Sequence, residues 1–383
     1  MASPKLRFKE FDGNWLAATL ENLAEVERGK FSVRPRNDPR YFGGEMPFVQ
    51  TGDVTGSDVY LKGYSQTLNT DGIRVSKVFP ADTILITIAA NIGDTTITKY
   101  PVACPDSVVA IQPKREKANT IFLKNIIDLQ KDNLDSQATQ NAQKNINLQV
   151  LKPLELIVPS KEEQTKIASF LSAVDEKINL LTQKHELLSQ YKQGMMQKLF
   201  SQQIRFKAED GSEFGEWKQS LLGQNCHITT GKLDANAMNA NGKYRFYTCA
   251  KNYFYIDNFA FDTEALLISG NGAHVGYIHY YKGKFNAYQR TYVLDGWEHN
   301  IQYVKYYLDK YLKIRINSEK KEGNTPYIVL STLNEMPFQI PTFEEQTKIA
   351  NFLSAIDQKI EVVAQQIAQA KQWKKGLLQQ MFV

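Results

Sequence analysis

The sequence predicts an α+β protein in which two mixed α/β domains are joined by two long helices that pair as an antiparallel coiled coil, in a pseudo-two-fold repeat. Three observations support this fold class. A segment of 43 residues occurs twice, each copy has the apolar spacing of a coiled-coil helix, and a strand-rich region of different sequence precedes each copy.

The repeated segment is Val158–Phe200, which matches Ile340–Phe382 without a gap at an offset of 182 residues. The copies are identical at 21 of 43 positions and share the string Glu-Glu-Gln-Thr-Lys-Ile-Ala at 162–168 and 344–350. A weaker match opens each half, and between the matched ends the sequences diverge. This layout indicates one framework that carries two different modules. The weaker match joins Arg7-Phe8-Lys9, Trp15 and Gly29-Lys30 to Arg205-Phe206-Lys207, Trp217 and Gly231-Lys232.

Each copy of the repeat predicts a long helix. Ser160 precedes Glu163, and Thr342 precedes Glu345, at the spacing of a capping box in which hydroxyl and carboxylate satisfy the first free amides. Apolar residues then alternate at spacings of about four and three, which is typical of a coiled-coil seam. The predicted seam consists of Ile167, Leu171, Val174, Ile178, Leu181, Leu188, Met195 and Leu199 in the first copy, and of Ile349, Leu353, Ile356, Ile360, Val363, Ile367, Ala370, Leu377 and Met381 in the second.

Polar residues interrupt the predicted seam at His185, Lys192 and Lys374. They could fix the register, because a polar seam residue penalises wrong alignments. They could equally extend long side chains to water near a frayed helix end. The sequence leaves both interpretations open.

The modules that precede the helices are predicted to be mixed α/β. Apolar and β-branched runs bounded by Gly, Asn and Pro predict strands, and a helix precedes the exit of each module. The domain limits predicted on this basis are 1–158, 159–203, 204–340 and 341–383, the second and fourth segments being the long helices. The predicted strands are 84–88, 95–98, 108–111, 265–269, 275–281 and 291–294, and the predicted helices are 121–131 and 301–315.

The composition is that of a globular protein. The 383 residues are 42% apolar and 23% charged, and the net charge of +5 is spread evenly along the chain. No run of about 18 apolar residues predicts a membrane span, and the first residues lack the apolar stretch of a signal peptide. Three separate cysteines offer no disulfide framework. We therefore expect a cytoplasmic protein with no membrane association.

Three short segments approach catalytic motifs without completing them. The glycine-rich segment 269–276 leads into a further strand, whereas a phosphate-binding loop must open a helix. Asn324-Thr325-Pro326-Tyr327 differs in its second residue from the Asn-Pro-Pro-Tyr of amino-methyltransferases. Pro105-Asp106 with Gln112-Pro113-Lys114 lacks a carboxylate that a nuclease metal site needs. We expect no catalytic residues, no cofactor and no metal site in this chain.

The doubled pattern resembles a known family. Arg-Phe before a Trp, a variable α/β module, Pro-x-x-Glu-Glu-Gln-x-Lys-Ile-Ala-x-Phe-Leu and a long helix, all given twice, are similar to the specificity subunit of type I restriction–modification enzymes. The resemblance covers nearly the full chain. Phe343 departs from the pattern, since the family often has Pro or a polar residue there.

The resemblance implies a function. It implies two target recognition domains, at 1–158 and 204–340, each of which reads one half of a split, asymmetric site in double-stranded DNA. It implies that the paired helices set the gap, and the predicted seam from Ile167 to Leu199 spans about 48 Å, more than one turn of DNA at about 34 Å. It also implies two methyltransferase (modification) subunits and restriction subunits that translocate DNA as partners. S-adenosylmethionine, ATP and magnesium would belong to those partners.

Candidate DNA contacts divide into positioning and reading residues. Basic residues near the matched glycines are expected to bind phosphates, namely Arg28, Lys30, Arg34, Arg36 and Lys232. Polar residues of the variable loops are expected to contact bases, because Arg, Asn and Gln can pair with base edges. These are Gln50, Thr51, Asn91, Gln140, Asn141, Gln143 and Lys144 in the first module, and Tyr247, Lys251, Asn271, His274, Gln289 and Arg290 in the second.

Two other function classes stay open from the sequence. A non-catalytic adaptor could carry two protein-binding modules on the same coiled-coil spacer. Its interfaces would respond weakly to salt, whereas phosphate contacts make affinity fall steeply with ionic strength. A fused methyltransferase or nuclease is the third hypothesis. An assay of methyl transfer by the isolated chain distinguishes it from the other two.

Overall fold

The computed structural model describes residues 3–89, 91–138, 145–319 and 327–382. The chain forms two compact units, one of Met1–Thr182 with Gln365–Val383 and the other of Gln183–Ala364. The division falls within the two long helices, so each unit contains the first half of one repeated helix and the second half of the other. The domain limits predicted from the sequence treat each helix as a segment of its own, and they stay a prediction.

The first unit is built, in its described part, from two four-stranded sheets and one two-stranded sheet. One sheet has the order β2-β9-β6-β7 and the other β4-β3-β8-β5, while β1 pairs with β10. The strands are β1 (Leu16–Thr19), β2 (Ala24–Arg28), β3 (Phe42–Phe48), β4 (Gln66–Leu68), β5 (Val78–Phe79), β6 (Ile84–Thr87), β7 (Thr95–Ile97), β8 (Val102–Ala103), β9 (Val108–Pro113) and β10 (Glu155–Val158). The helices are α1 (Leu20–Leu23), α2 (Thr51–Thr55), α3 (Thr70–Arg74), α4 (Thr120–Asp128), α5 (Lys131–Ser136), α6 (Leu148–Leu151) and the start of α7 (Lys161–Phe200).

The second unit repeats this plan with one larger sheet. Over the described residues its order is β12-β17-β15-β16-β13-β14, and β11 pairs with β18. The strands are β11 (Lys218–Leu221), β12 (His227–Thr230), β13 (Tyr244–Tyr247), β14 (Phe254–Ile256), β15 (Phe261–Ser269), β16 (Ile278–Ala287), β17 (Thr291–Asp295) and β18 (Pro337–Ile340). The helices are α8 (Ile301–Glu319), α9 (Leu330–Asn334), the end of α7 and the start of α10 (Phe343–Met381), whose end belongs to the first unit.

The central strands of each unit are buried on both faces, which explains their unbroken apolar runs. In β6, Ile84 and Ile86 face the core that contains α4, whereas Leu85 faces a second, smaller core. In β15, Leu266 and Ile268 face the core that contains α8, and Leu267 faces the opposite core. The mixed helix–sheet architecture with two long helices confirms the predicted fold class.

One predicted strand begins later than expected. The run predicted at 275–281 enters the sheet only at Ile278, because the chain from Gly270 to Tyr277 forms a loop. Gly276 closes this loop with a φ of +78°, a left-handed conformation that favours glycine. Its amide donates to the carbonyl of Ser269 at 2.8 Å.

A buried carboxylate fixes the entrance of each unit to its long helix. Glu163, at the start of α7, accepts from Arg7 Nε and Nη2 at 2.8 and 2.7 Å and from Trp15 Nε1 at 3.3 Å. Glu163 is only 1% exposed to solvent. Glu345, at the start of α10, accepts from Arg205 Nε and Nη2 at 3.1 and 2.7 Å and from Trp217 Nε1 at 3.0 Å. The repeated Arg, Trp and Glu are therefore one structural motif that occurs twice.

The next residue of the repeat links the long helix to the module. Gln164 accepts from the amide of Asn119 at 3.0 Å and donates to the carbonyls of Pro159 and Lys117, both at 3.1 Å. Asn119 is the N-cap of α4. Gln346 accepts in the same way from the amide of Asn300 at 2.9 Å. Since the Asn300 side chain accepts from the first amides of α8, both repeats hold the start of a module helix against the start of a long helix.

The predicted seam residues pack inside the units. Ile167, Leu171, Val174, Leu199, Ile349, Leu353, Ile356 and Val363 are buried, and Ile178, Leu181, Leu188, Ile360 and Ile367 are half-buried. In the first copy Met196 is buried in place of Met195, which is half-buried. The seam therefore shifts by one residue there, near the end of α7.

The two seam lysines form ion pairs with the facing helix. Lys192 Nζ lies 2.6 Å from Asp357 Oδ1, and Lys374 Nζ lies 2.6 Å from Asp175 Oδ1. The lysine side chains are 22% and 21% exposed, so the charges are largely shielded from water. Both aspartates, like both lysines, occupy equivalent positions of the repeat. This geometry favours the register interpretation over extension to solvent at a frayed end.

Replacing Glu345 with alanine should destabilise the second unit. The substitution leaves the Arg205 guanidinium and the Trp217 N–H without their acceptor, and removing one partner of a buried ion pair costs roughly 3 kcal/mol. Chemical denaturation followed by circular dichroism measures the change in the free energy of unfolding. The matched control is Glu344→Ala, because the Glu344 side chain is 54% exposed and its 3.6 Å pair with Lys348 lies at the surface. Equal losses in the two variants would contradict the structural role of Glu345.

Candidate nucleic-acid interface

Four chain segments of the first unit converge at one edge of the β2-β9-β6-β7 sheet. The amide of Gly29, after β2, donates to the carbonyl of Val108 at 2.9 Å. The amide of Ile88, after β6, donates to the carbonyl of Ser107 at 3.1 Å, and the amide of Ile146 donates to the carbonyl of Ile88 at 3.0 Å. We call this set of segments, residues 29–36, 88–89, 91–94, 104–107 and 145–146, the converging edge of the first unit.

The second unit has a converging edge with the same backbone hydrogen bonds. The amide of Gly231 donates to the carbonyl of Thr291 at 3.2 Å, and that of Gly270 to the carbonyl of Arg290 at 2.9 Å. The amide of Ile328 donates to the carbonyl of Gly270 at 2.8 Å. Its segments are 231–234, 270–277, 288–291 and 327–328. The bonds make Arg290 the structural equivalent of Ser107, in a region where the two sequences do not align.

The matched glycines allow this close approach. A Cβ atom on Gly29 would lie 2.3 Å from the carbonyl oxygen of Pro105, and one on Gly231 would lie 1.8 Å from that of Ala287. Any other residue would therefore push the segment that carries the neighbouring lysine away from the edge. This explains why Gly-Lys occurs at the same distance from the tryptophan in both halves.

The predicted phosphate-binding residues of the first unit lie along the segment after β2. Arg28 Nε donates to the backbone carbonyl of Asp106, and Arg36 Nη2 lies 2.8 Å from Asp106 Oδ2. Arg34 Nη1 donates to the carbonyl of Val33 at 2.8 Å. Lys30 is exposed. Hydrogen bonds thus hold the three arginine side chains, and all four basic residues are exposed.

Few of the predicted base contacts of the first unit are brought to the converging edge. Asn91, which follows β6, is exposed, and its carbonyl accepts a hydrogen bond from the Thr87 hydroxyl. Gln50 instead caps α2 and donates to Gln66 Oε1 at 2.8 Å, and Thr51 begins the same helix. Gln140, Asn141, Gln143 and Lys144 lie outside the described residues.

In the second unit most of the predicted contacts come together. Lys232 is exposed beside Gly231, and the loop after β15 carries Asn271 and His274, both half-buried. The turn before β17 carries Gln289, whose Nε2 donates to Asp234 at 2.8 Å, and the exposed Arg290.

Lys251 reaches the same edge through a loop that the sheet anchors. His279 Nε2 lies 2.9 Å from the carbonyl oxygen of Ala250, and Cys249 Sγ lies 3.4 Å from that of Arg290. The side chain of Lys251 itself is exposed. Because the neutral imidazole can carry its proton on Nε2, His279 can act as the donor to Ala250.

The prediction that Tyr247 contacts a base is wrong. The residue is 1% exposed and packs in the core between Phe285, Tyr281 and Leu267. Its hydroxyl lies 3.4 Å from Arg245 Nη1. A side chain with so little accessible surface has no free face for a base, and its burial follows from its place in β13 on the inner face of the sheet.

Three residues that shape the converging edges are not among the contacts predicted from the sequence. Asp106 positions two arginines, Ser107 occupies the place of Arg290, and His279 anchors the loop of Lys251. The sequence signal for Asp106 is Pro105-Asp106, which with Gln112-Pro113-Lys114 resembles an incomplete nuclease metal motif. Within the described ranges, no group of three or more His, Cys, Asp or Glu side chains is arranged to hold a metal ion. None of the described helices combines the length and the apolar composition that a membrane span requires.

Comparison with known proteins identifies relatives along the whole chain. The sequence model of one protein family, the type I restriction modification DNA specificity domain, matches residues 13–190 and again residues 215–372. The type I restriction enzyme EcoDI specificity subunit of Escherichia coli is 36% identical over 43% of this chain, although that match spans only 36% of the relative. The MjaVIII specificity subunit of Methanocaldococcus jannaschii is 24% identical over 88% of each chain. The solved S subunit of a type I restriction-modification system from M. genitalium has the same fold, with a TM-score of 0.67, 20% identity and coverage of 100% of this chain and 99% of that one.

We expect the stability of the second unit to fall at acidic pH because of His279. Burial lowers the pKa of His279 from its ordinary value near 6.5. The unfolded chain therefore binds this proton first as the pH falls below about 6.5, so the stability that the neutral ring contributes is present above that pH and is lost below it. His279→Gln retains an N–H donor for Ala250 but does not titrate. Melting temperatures measured between pH 7 and pH 5 should fall further for the wild type than for the variant, and parallel curves would rule the contribution out.

Proposed function

Since this chain belongs to the family of type I restriction modification DNA specificity domains and carries the domain twice, we propose that its two units read the two halves of a bipartite, asymmetric DNA site. The chain performs no chemistry in this proposal. Methylation and ATP-dependent cleavage reside in partner subunits, which hold S-adenosylmethionine, ATP and magnesium.

The observation that carries the proposal is the pair of converging edges. Both are built on the same backbone hydrogen bonds, yet they present different side chains. An edge with Lys30 and the Asp106-bound arginines can contact a phosphate backbone by charge, and so can one with Lys232. Polar side chains beside those cations then lie where they could contact base edges in a groove. Two half-sites of DNA share the phosphate backbone and differ in base sequence. Two edges with the same protein backbone and different side chains suit such a pair of half-sites.

We infer that the helix pair sets the unread gap between the half-sites. The helices α7 and α10 contain 40 and 39 residues, which corresponds to about 60 Å each at about 1.5 Å per residue. The ion pairs of Lys192 with Asp357 and of Lys374 with Asp175 support a single register. A spacer with one register gives one gap length, as a bipartite reader requires.

The doubled framework also supports two copies of one partner. Two identical methyltransferase subunits would need two equivalent surfaces, and the repeated segments, unlike the modules, are alike in the two halves. Restriction subunits would join the complex through or beside those partners.

Mapping of methylated bases across a genome tests the proposal directly. The chain is expressed with a matched methyltransferase subunit in a host that lacks other such systems. We expect a split motif of two short words with a fixed gap. Exchanging residues 217–339 for the module of a relative should change one word and leave the other intact. A stable complex that adds no methylation, or a motif that is a single continuous word, would overturn the proposal that the two units recognise two half-sites.

Lengthening the helices tests the gap separately. Insertion of one heptad into both long helices, after Leu181 and at the equivalent position after Val363, preserves the seam pattern of each. We expect a longer gap with both words unchanged, because the modules are untouched. The control inserts the same seven residues into the exposed turn at Gly211, outside both helices. A change in the letters of either word, or no change in the gap, would contradict the spacer role.

A further inference from the structure

We propose that Arg290 reads a guanine in the word assigned to the second unit, and that Ser107, at the equivalent position of the first unit, leaves the other word without that reader. The inference rests on the proposed function, because it names one letter of one half-site.

The turn that carries Arg290 is fixed from three sides through its backbone. The carbonyl of Arg290 accepts from the amide of Gly270 at 2.9 Å. The amide of Gln289 donates to the carbonyl of Leu233 at 2.9 Å, and that of Tyr288 to the carbonyl of Tyr247 at 2.9 Å. Since the Cα position is set before any ligand binds, only the side chain has to be ordered on binding. Preorganisation of this kind lowers the entropic cost of recognition.

The guanidinium of Arg290 is available to a ligand. The second unit contains four arginines, all within the described residues. Arg205 is held by Glu345, and Arg315 pairs with Glu319 at 2.6 Å. Arg245 lies over the rings of Tyr253 and Tyr281 at 4.3 and 4.5 Å. In this part of the chain, Arg290 is the arginine whose donors contact no acceptor of the protein.

Its position in the frame favours a base over a phosphate. Lys30 and Lys232 are identical residues at matched positions, as expected of groups that bind the phosphate backbone common to all DNA. Arg290 and Ser107 are different residues at matched positions, as expected of groups that contact the part of DNA that differs between half-sites. An exposed Arg fork can donate two hydrogen bonds to O6 and N7 of guanine, a pattern that the other bases do not offer in the major groove. Serine can donate to or accept from any base and discriminates little.

The experiment compares variants of the chain in complex with its methyltransferase. The wild-type motif is mapped first, and methylation rates are then measured on duplexes in which each base pair of both words is changed in turn. In Arg290→Gln, the preference for one guanine of the second word should drop by about 5- to 150-fold, the range that a bidentate contact provides. Arg290→Lys should keep part of the preference, since lysine can still donate to guanine. Lys232→Gln is the matched control and should slow methylation of all duplexes alike.

The outcomes are distinct. If the wild type gives no bipartite motif, the proposed function fails and this inference fails with it. If the wild type gives the motif but Arg290→Gln keeps every preference, or loses rate uniformly as Lys232→Gln does, the assignment of Arg290 alone is overturned. Thermal unfolding keeps the test valid, because an exposed side chain without a protein partner should leave the melting temperature unchanged on substitution.

Discussion

The rest of the structure depends on two buried carboxylates at the starts of the long helices. Glu163 and Glu345 are 1% and 0% exposed, and a charge at such depth is tolerated only when it is paired and hydrogen-bonded. Each receives a bidentate arginine and a tryptophan N–H from the opening segment of its own unit. The position at the helix start adds favourable interaction with the helix dipole. One acidic residue therefore joins the beginning of a module to its end.

This constraint leaves the middle of each module free to vary. With the entry fixed by Glu163 and the start of α4 fixed by Gln164, the sheet between them can change length and sequence without moving the long helix. The second module shows the consequence, since β13 and β14 extend its main sheet, whereas the corresponding region of the first unit contains a separate sheet of β4-β3-β8-β5. The likeness of the two halves at their ends and their divergence in between thus have one physical cause.

The sequence predicts the framework well because the framework is repeated. The doubled Glu-Glu-Gln segment, the capping hydroxyls and the seam spacing are local patterns, and they yield the fold class and the long helices. The hydrogen bond from Arg7 to Glu163 joins residues that are 156 positions apart in the sequence, and no local pattern predicts it. Tyr247 illustrates a different limit, because an aromatic residue in an alternating strand can face either side of a sheet. The equivalence of Ser107 and Arg290 was hidden for a third reason, since it lies in backbone hydrogen bonds between segments that do not align.

That last point explains how one scaffold can carry unlike side chains at equivalent positions. The converging edges are held by amides and carbonyls, and both need a residue without a side chain at the close approach, Gly29 in one and Gly231 in the other. A backbone hydrogen bond does not depend on the residue that carries it, so the positions that face outward can change without loss of the frame. Ser107 and Arg290 differ in size and charge and yet accept the same bond through their carbonyls. Stability therefore depends on the buried carboxylates and the seam, and the exposed side chains of the converging edges can vary without loss of the fold.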